Sequence, residues 1–121
     1  MIHTKADASG RVLTMSYSEH VGAVDMKRCL GTVRDIMPQL KPGFLLLTDL
    51  SCLESMAAEC AEDVGAIMEL CAEGGMKTVV RVIPDPRKDI GFALISRFHH
   101  HPSVRTRTYE NLAEAVQSFL S

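Results

Sequence analysis

Apolar positions alternate between a period near two and a period of three to four along the chain, and the changes of period mark its elements. Residues 2–5 and 11–17 read as two extended segments about a turn at Ala8-Ser9-Gly10, since glycine after a small polar residue favours reversal. They predict an N-terminal hairpin. Met26, Leu30, Val33, Ile36, Met37 and Leu40 recur at amphipathic-helix spacing, with Asp25 near the start and Pro38 and Pro42-Gly43 closing the run. That spacing predicts a helix over about residues 24–38. Phe44, Leu45, Leu46 and Leu47 form a continuous apolar run ending at Thr48-Asp49, and a strand without polar alternation is covered on both faces. It reads as the central strand.

A second helical stripe follows on Leu53, Met56, Ala57, Cys60, Val64, Ile67, Met68 and Cys71, ending at Gly74-Gly75, where glycine supplies a left-handed C-cap. Ser55 offers a cap for this helix, and Ser51-Cys52-Leu53-Glu54 reads as a rival capping box that would start it earlier. Residues 77–83 are rich in β-branched side chains and stop at Pro84 and Pro86, as a buried strand does. Ile90, Leu94 and Phe98 make a shorter helical stripe. Residues 104–108 alternate in the manner of a partly exposed edge strand. Asn111 with Glu114 forms a capping box before Leu112, Ala115, Val116, Phe119 and Leu120, which fall on one helix face. The alternation predicts an α/β fold: four or five strands in a mostly parallel sheet, an antiparallel N-terminal hairpin, and about four helices.

The length of 121 residues suits one domain spanning the whole chain. Apolar residues at 46% and charged residues at 23% are ordinary for a globular protein. The longest aliphatic or aromatic run is four residues, Phe44 to Leu47, too short to span a membrane, and no signal-peptide core follows the first residues, so a cytoplasmic location is expected. Cys29, Cys52, Cys60 and Cys71 contain no Cys-x-x-Cys pair, which points to reduced, mostly buried thiols. A net charge of −2, no tryptophan and few aromatic residues argue against nucleic acid. Charge is segregated. Residues 42–76 carry seven acidic side chains and no Lys or Arg, whereas residues 77–107 carry seven basic ones against Asp85 and Asp89, predicting a two-sided surface.

Residues 44–120 resemble the STAS domain, the family of anti-sigma-factor antagonists and sulfate-transporter tails, together with its SpoIIAA-like relatives. The segment from Phe44 to Ser51 is similar to that family's central strand and Asp-Leu-Ser turn. Leu53-Glu54-Ser55 stands where the family has an apolar residue and its Asp-Ser-Ser-Gly signature, Gly74-Gly75 where its second helix ends, and Thr108 to Ala115 where its last strand enters its last helix. The signature reads Glu54-Ser55-Met56-Ala57 here, so Met56 replaces the serine that kinases modify in that family. The resemblance is therefore closer to the SpoIIAA-like branch, some members of which resemble lipid-binding Sec14-type folds. It implies a non-catalytic regulatory module that docks a protein partner through Asp49, Ser51, Glu54, Ser55, Met56 and Glu59, without the usual serine switch.

Other constellations are weaker. Asp49 ends a central strand, as a receiver-domain aspartate would, yet the magnesium-binding acidic pair and partner lysine of such a domain have no counterpart. His99-His100-His101 cannot all face one ion without a tight turn, so neither a metal nor another cofactor is expected. Arg97, Arg105 and Arg107 are candidates for anion binding, which protective charge on an edge strand explains equally well. With the Met- and Leu-rich interior they motivate the alternative reading, a carrier of a small apolar or anionic ligand held between the third helix and the sheet. Glu54 and Glu59 would raise the thiol pKa of Cys52 and Cys60, making both poor nucleophiles. No Ser-His-Asp order, Gly-rich phosphate loop or paired-carboxylate motif appears, which ranks an enzyme third. A homodimer is expected from the complementary charged surfaces and the edge strand.

Overall fold

The computed structural model describes residues 1–84 and 104–120. The expected helix carrying Ile90, Leu94 and Phe98 lies outside the described residues, as do Arg97 and His99-His100-His101. Five strands form one sheet: β1 (Ile2–Ala6), β2 (Val12–Val21), β3 (Leu45–Met56), β4 (Thr78–Val82) and β5 (Arg105–Tyr109). Their spatial order is their chain order, with β1 antiparallel to β2 and every other pairing parallel. This is the expected α/β architecture with its antiparallel hairpin edge. The described helices are α1 (Ala23–Ile36), α2 (Ala61–Glu73) and α3 (Leu112–Leu120).

The hairpin turn is fixed by Asp7, whose Oδ1 accepts the N–H groups of Arg11 (2.9 Å) and Val12 (3.0 Å). Gly10 sits at φ +70°, and a Cβ there would lie 2.3 Å from the Gln39 carbonyl oxygen, so both conformation and space demand glycine. On α1, Met26 and Val33 of the predicted stripe are buried, Leu30 and Ile36 are partly buried, Cys29 joins them in the core, and a single 3-10 turn, Met37–Gln39, continues the helix through Pro38. Gly75, at φ +96° after α2, supplies the left-handed reversal expected there.

One face of the sheet buries Leu13, Met15, Tyr17, Leu46, Leu50 and Val79 against α1 and α2. The other buries Leu47, Val80 and Val82 with Ala115 of α3. Coverage on both faces explains the unbroken apolar run at the start of β3. The Asn111 cap is present, its Oδ1 accepting the Glu114 N–H at 2.9 Å. α3 covers less than the sequence suggests, because Leu112 and Leu120 are exposed while Val116 and Phe119 pack. The surface is also less basic than expected, since Arg81 lies inside β4 at 1% exposure.

The largest correction concerns the middle of the chain. β2 continues to Val21 and β3 to Met56, so the second helix starts at Ala61, after a 3-10 turn at Ala58–Cys60, rather than near Ser51 or Ser55. The two strands extend each other, pairing Ser18 with Cys52, Glu19 with Leu53, His20 with Ser55 and Val21 with Met56. Two bulges on β3 accompany this, since Ser16–Ser18 spans Asp49–Cys52 and Glu19–His20 spans Leu53–Ser55. Each bulge adds a residue, so Leu50, Leu53 and Met56 line the same cavity at intervals of three. A strand thereby imitates helical spacing.

Candidate functional site

Parallel α/β sheets place their sites at the carboxyl ends of the strands, and the candidate docking residues fall there. Asp49 ends the part of β3 that pairs with both neighbours, Ser16 on one side and Val82 on the other. Its half-buried carboxylate accepts the backbone N–H of Ser51 at 3.0 Å and also the Ser51 hydroxyl. Ser51 is therefore tied back to Asp49 and caps no helix. Glu54 and Ser55 are exposed on the outer stretch of β3, Met56 is half-buried at its end, and Glu59 is exposed in the 3-10 turn before α2. Neither serine stands at a helix start, because strand pairing has claimed the backbone that a capping box would use.

Ser55 instead meets a residue 35 positions away: His20 Nδ1 lies 2.7 Å from its Oγ. The preceding Glu19 has φ +58°, in the left-handed region that costs a non-glycine residue about 1 kcal/mol. It lies at the second bulge, and His20 consequently pairs with Ser55 rather than with Glu54. Beyond His20, Asp25 Oδ2 accepts the Gly22 N–H at 2.9 Å. That hydrogen bond, reinforced by nearby positive charge, holds the Asp25 carboxyl below its ordinary range. His20 Nε2 and Asp25 Oδ2 each lie 4.0 Å from where a Gly22 side chain would begin, so Gly22 keeps the space between them open. Sequence reasoning missed His20 altogether, since a lone histidine at a strand end carries no local signal.

The cysteines divide as expected, Cys29, Cys60 and Cys71 being buried and Cys52 exposed, all unpaired. Burial first, then Glu59 and Asp63, pushes the Cys60 thiol up, and burial lifts Cys71 to about 12. Those two are structural groups. Asp63 also forms an ion pair of 3.8 Å with the exposed Lys27, joining the start of α2 to α1.

Under α2 lies an apolar cavity of about 40 Å³ bordered by Met15, Tyr17, Leu53, Met56 and Met68, with Thr48 at its wall. Thr48 is occupied, donating its Oγ1 hydrogen to the Val80 carbonyl at 3.2 Å. Burial pushes the Tyr17 phenol far above its ordinary range, so this tyrosine stays protonated. Of the anion candidates, Arg105 and Arg107 are both exposed on β5 and, two residues apart, share a face with Tyr109. Hydrogen bonding with Ser118 and Arg107 holds the Tyr109 phenol below its ordinary range, so Arg107 is engaged locally. Among the described residues, no three His, Cys, Asp or Glu side chains are arranged to hold a metal ion.

No protein-family model and no curated protein matches the chain. Solved structures do match. A protein of the DUF3478 family with a SpoIIAA-like fold, from Shewanella loihica PV-4, is 13% identical with a TM-score of 0.67, over 98% of this chain and 91% of that one. An anti-sigma factor antagonist from Mycobacterium paratuberculosis is 18% identical with a TM-score of 0.62, over 100% of this chain and 96% of that one. The Bacillus cell fate determinant SpoIIAA, in its phosphorylated form, is 12% identical with a TM-score of 0.64, over 98% of each chain. A parallel sheet in the order β1-β2-β3-β4-β5, opened by a hairpin and flanked by helices on both faces, agrees with these neighbours over nearly the full length. The chain has the SpoIIAA-like, or STAS, fold.

Proposed function

We propose that this protein is a regulatory interaction module that docks a protein partner on the end of β3, through Asp49, Ser51, Glu54, Ser55, Met56 and Glu59, without control by serine phosphate. The observation that carries the proposal is the place of Ser55. Its hydroxyl is bonded to His20, and five residues separate it from the first residue of α2. A phosphate there gains nothing from free helix N–H groups and meets Glu19 and Glu54 beside it in the ladder and the chain. Met56 has no hydroxyl to modify. The likeness in fold to anti-sigma factor antagonists supports a regulatory role, and the exposed Glu54 and Glu59 suit a cationic partner. The test is affinity purification from the native cell with wild type, a Glu54→Arg/Glu59→Arg double variant and Ser55→Asp, together with phosphate mapping. Charge reversal is expected to lose the partner and Ser55→Asp to retain it. Substantial phosphate on Ser55 combined with lost binding by Ser55→Asp overturns the constitutive reading.

Self-association belongs to the same proposal, with β5 as the pairing edge, because β5 pairs only with β4 among the described residues. Its charged residues, Arg105 and Arg107, make the dimer sensitive to salt. Sedimentation showing only monomer at low salt and high concentration rejects it. The carrier reading puts its ligand against the expected helix of Ile90, Leu94 and Phe98, outside the described residues, and the apolar cavity under α2, at about 40 Å³, is too small for a ligand of ordinary size. Native mass spectrometry of freshly purified protein separates the two readings: a small molecule retained at one per chain supports the carrier.

A further inference from the structure

We propose that Ser55, besides its place on the docking surface, is a histidine-activated nucleophile that takes an acyl group from neutral carboxylic esters. Three independent features of the β2–β3 end converge on it. The Ser55 Oγ to His20 Nδ1 distance of 2.7 Å places a base within direct reach of the hydroxyl proton. Glu19, at φ +58°, lies at the second bulge, and a strained backbone position beside a reactive pair is where fold stability has yielded to placement of a side chain. Asp25, whose Oδ2 accepts the Gly22 N–H, stands on the same side as the far nitrogen of His20, each being 4.0 Å from where a Gly22 side chain would begin, so an acidic group completes the serine–histidine neighbourhood. Both Ser55 and His20 are exposed, so an ester reaches them without any rearrangement of the fold.

The surroundings select the donor. Glu19 and Glu54 flank the pair and repel anionic acyl donors, whereas neutral esters meet no such barrier. Ser55 Oγ attacks the ester carbonyl carbon while its proton passes to His20 Nδ1. The bond from the carbonyl carbon to the leaving oxygen then breaks, and the imidazolium returns its proton to the departing alkoxide or phenolate. The products are O-acyl-Ser55 and the free alcohol or phenol.

The experiment uses the purified full chain with p-nitrophenyl acetate, following p-nitrophenolate release and mapping acetyl groups by peptide mass spectrometry. Acetylation of Ser55 is expected at least about 100-fold faster than for the same serine in the urea-unfolded chain, in line with the usual gain from a positioned base. Ser55→Ala abolishes that adduct. His20→Gln, which keeps a hydrogen-bonding group beside Ser55 but takes up no proton, slows it by about 100-fold, and added imidazole recovers part of the rate in His20→Ala. Acetyl groups found only on lysines or on the exposed Cys52 overturn the proposal. So does a Ser55 rate equal to that of the unfolded chain, or unchanged by His20→Gln. Circular dichroism of each variant separates lost reactivity from lost folding, and no partner protein is present, so the outcome is independent of the docking proposal.

Discussion

The first half of β3 and its second half are built from the same strand and behave as two materials. Over Leu45–Asp49 the strand pairs on both edges in unbroken register, so that Leu45, Thr78 and Arg105 make one row and Asp49, Val82 and Tyr109 the last. Over Leu50–Met56 it pairs with β2 alone among the described residues, carries two bulges and faces a positive-φ residue. The regular half is a core element whose side chains are dictated by packing on two faces. The irregular half gives up regularity to aim side chains: Leu53 and Met56 toward the cavity, Ser55 toward His20. The proposed site falls in the second region and the buried ladder in the first, the arrangement of a rigid scaffold with a site at its rim.

Leu46→Ala breaks the comparison most severely if it is wrong. With Leu46 fully buried in the middle of the five-stranded sheet, the substitution is expected to cost about 4 kcal/mol by chemical denaturation. A loss under about 1 kcal/mol would remove that strand from the core. Leu53→Ala, in the irregular half, removes an equally buried side chain bordering the same cavity as Leu46, but from a stretch paired on one edge only among the described residues, which relaxes more readily around the deletion. Its expected cost is about 2 kcal/mol, at the low end for such a deletion. Equal losses at the two positions would abolish the distinction between the halves.

Glu19→Gly sharpens the contrast. It relieves the left-handed strain while adding freedom to the unfolded chain, for a net gain of about 0.5 kcal/mol. Thr14→Gly, in the regular ladder of the same strand, loses about 1 kcal/mol. Opposite signs at these two positions of one strand are the signature sought in paired urea titrations.

The smallest effect is acid sensitivity. Ser9 and then the Val12 N–H hold the Asp7 carboxyl below its ordinary value, and the Gly22 N–H does the same for Asp25. Depressed carboxyl groups contribute stability that is present above their unfolded value near 3.8 and lost as pH falls through the lower folded value. Wild type is therefore expected to lose stability below about pH 4 more steeply than Asp7→Asn or Asp25→Asn. Identical acid limbs for the three proteins would show that neither contact is made in solution.

Most of the architecture is legible in residue order. The hairpin needs Gly10, the first helix shows Met26, Leu30 and Val33 at helical spacing, and the run Phe44 to Leu47 announces a strand covered on both faces. Each of these signals is local, because periodicity and turn chemistry act between near neighbours. The start of α2 misleads for an equally specific reason: the bulges of β3 space Leu50, Leu53 and Met56 by threes, and Ser51 stands three residues before Glu54. Only pairing with β2 decides that this backbone is extended. The pairs that settle the matter join Cys52 to Ser18 and Ser55 to His20, residues 34 and 35 positions apart, and no local pattern encodes such contacts.

By itself, then, the sequence determined the strands and helices whose side-chain period matches their burial, the glycine reversals at Gly10 and Gly75, and the Asn111 cap. Tertiary structure alone decided where β3 stops, that Arg81 is buried, and that Ser55 faces His20 instead of capping a helix. The physical reason is range. Propensity, capping and turn chemistry are settled within a few residues, whereas the ladder that extends β2 and β3 together is favourable only once both strands are present, so neither segment carries the signal alone.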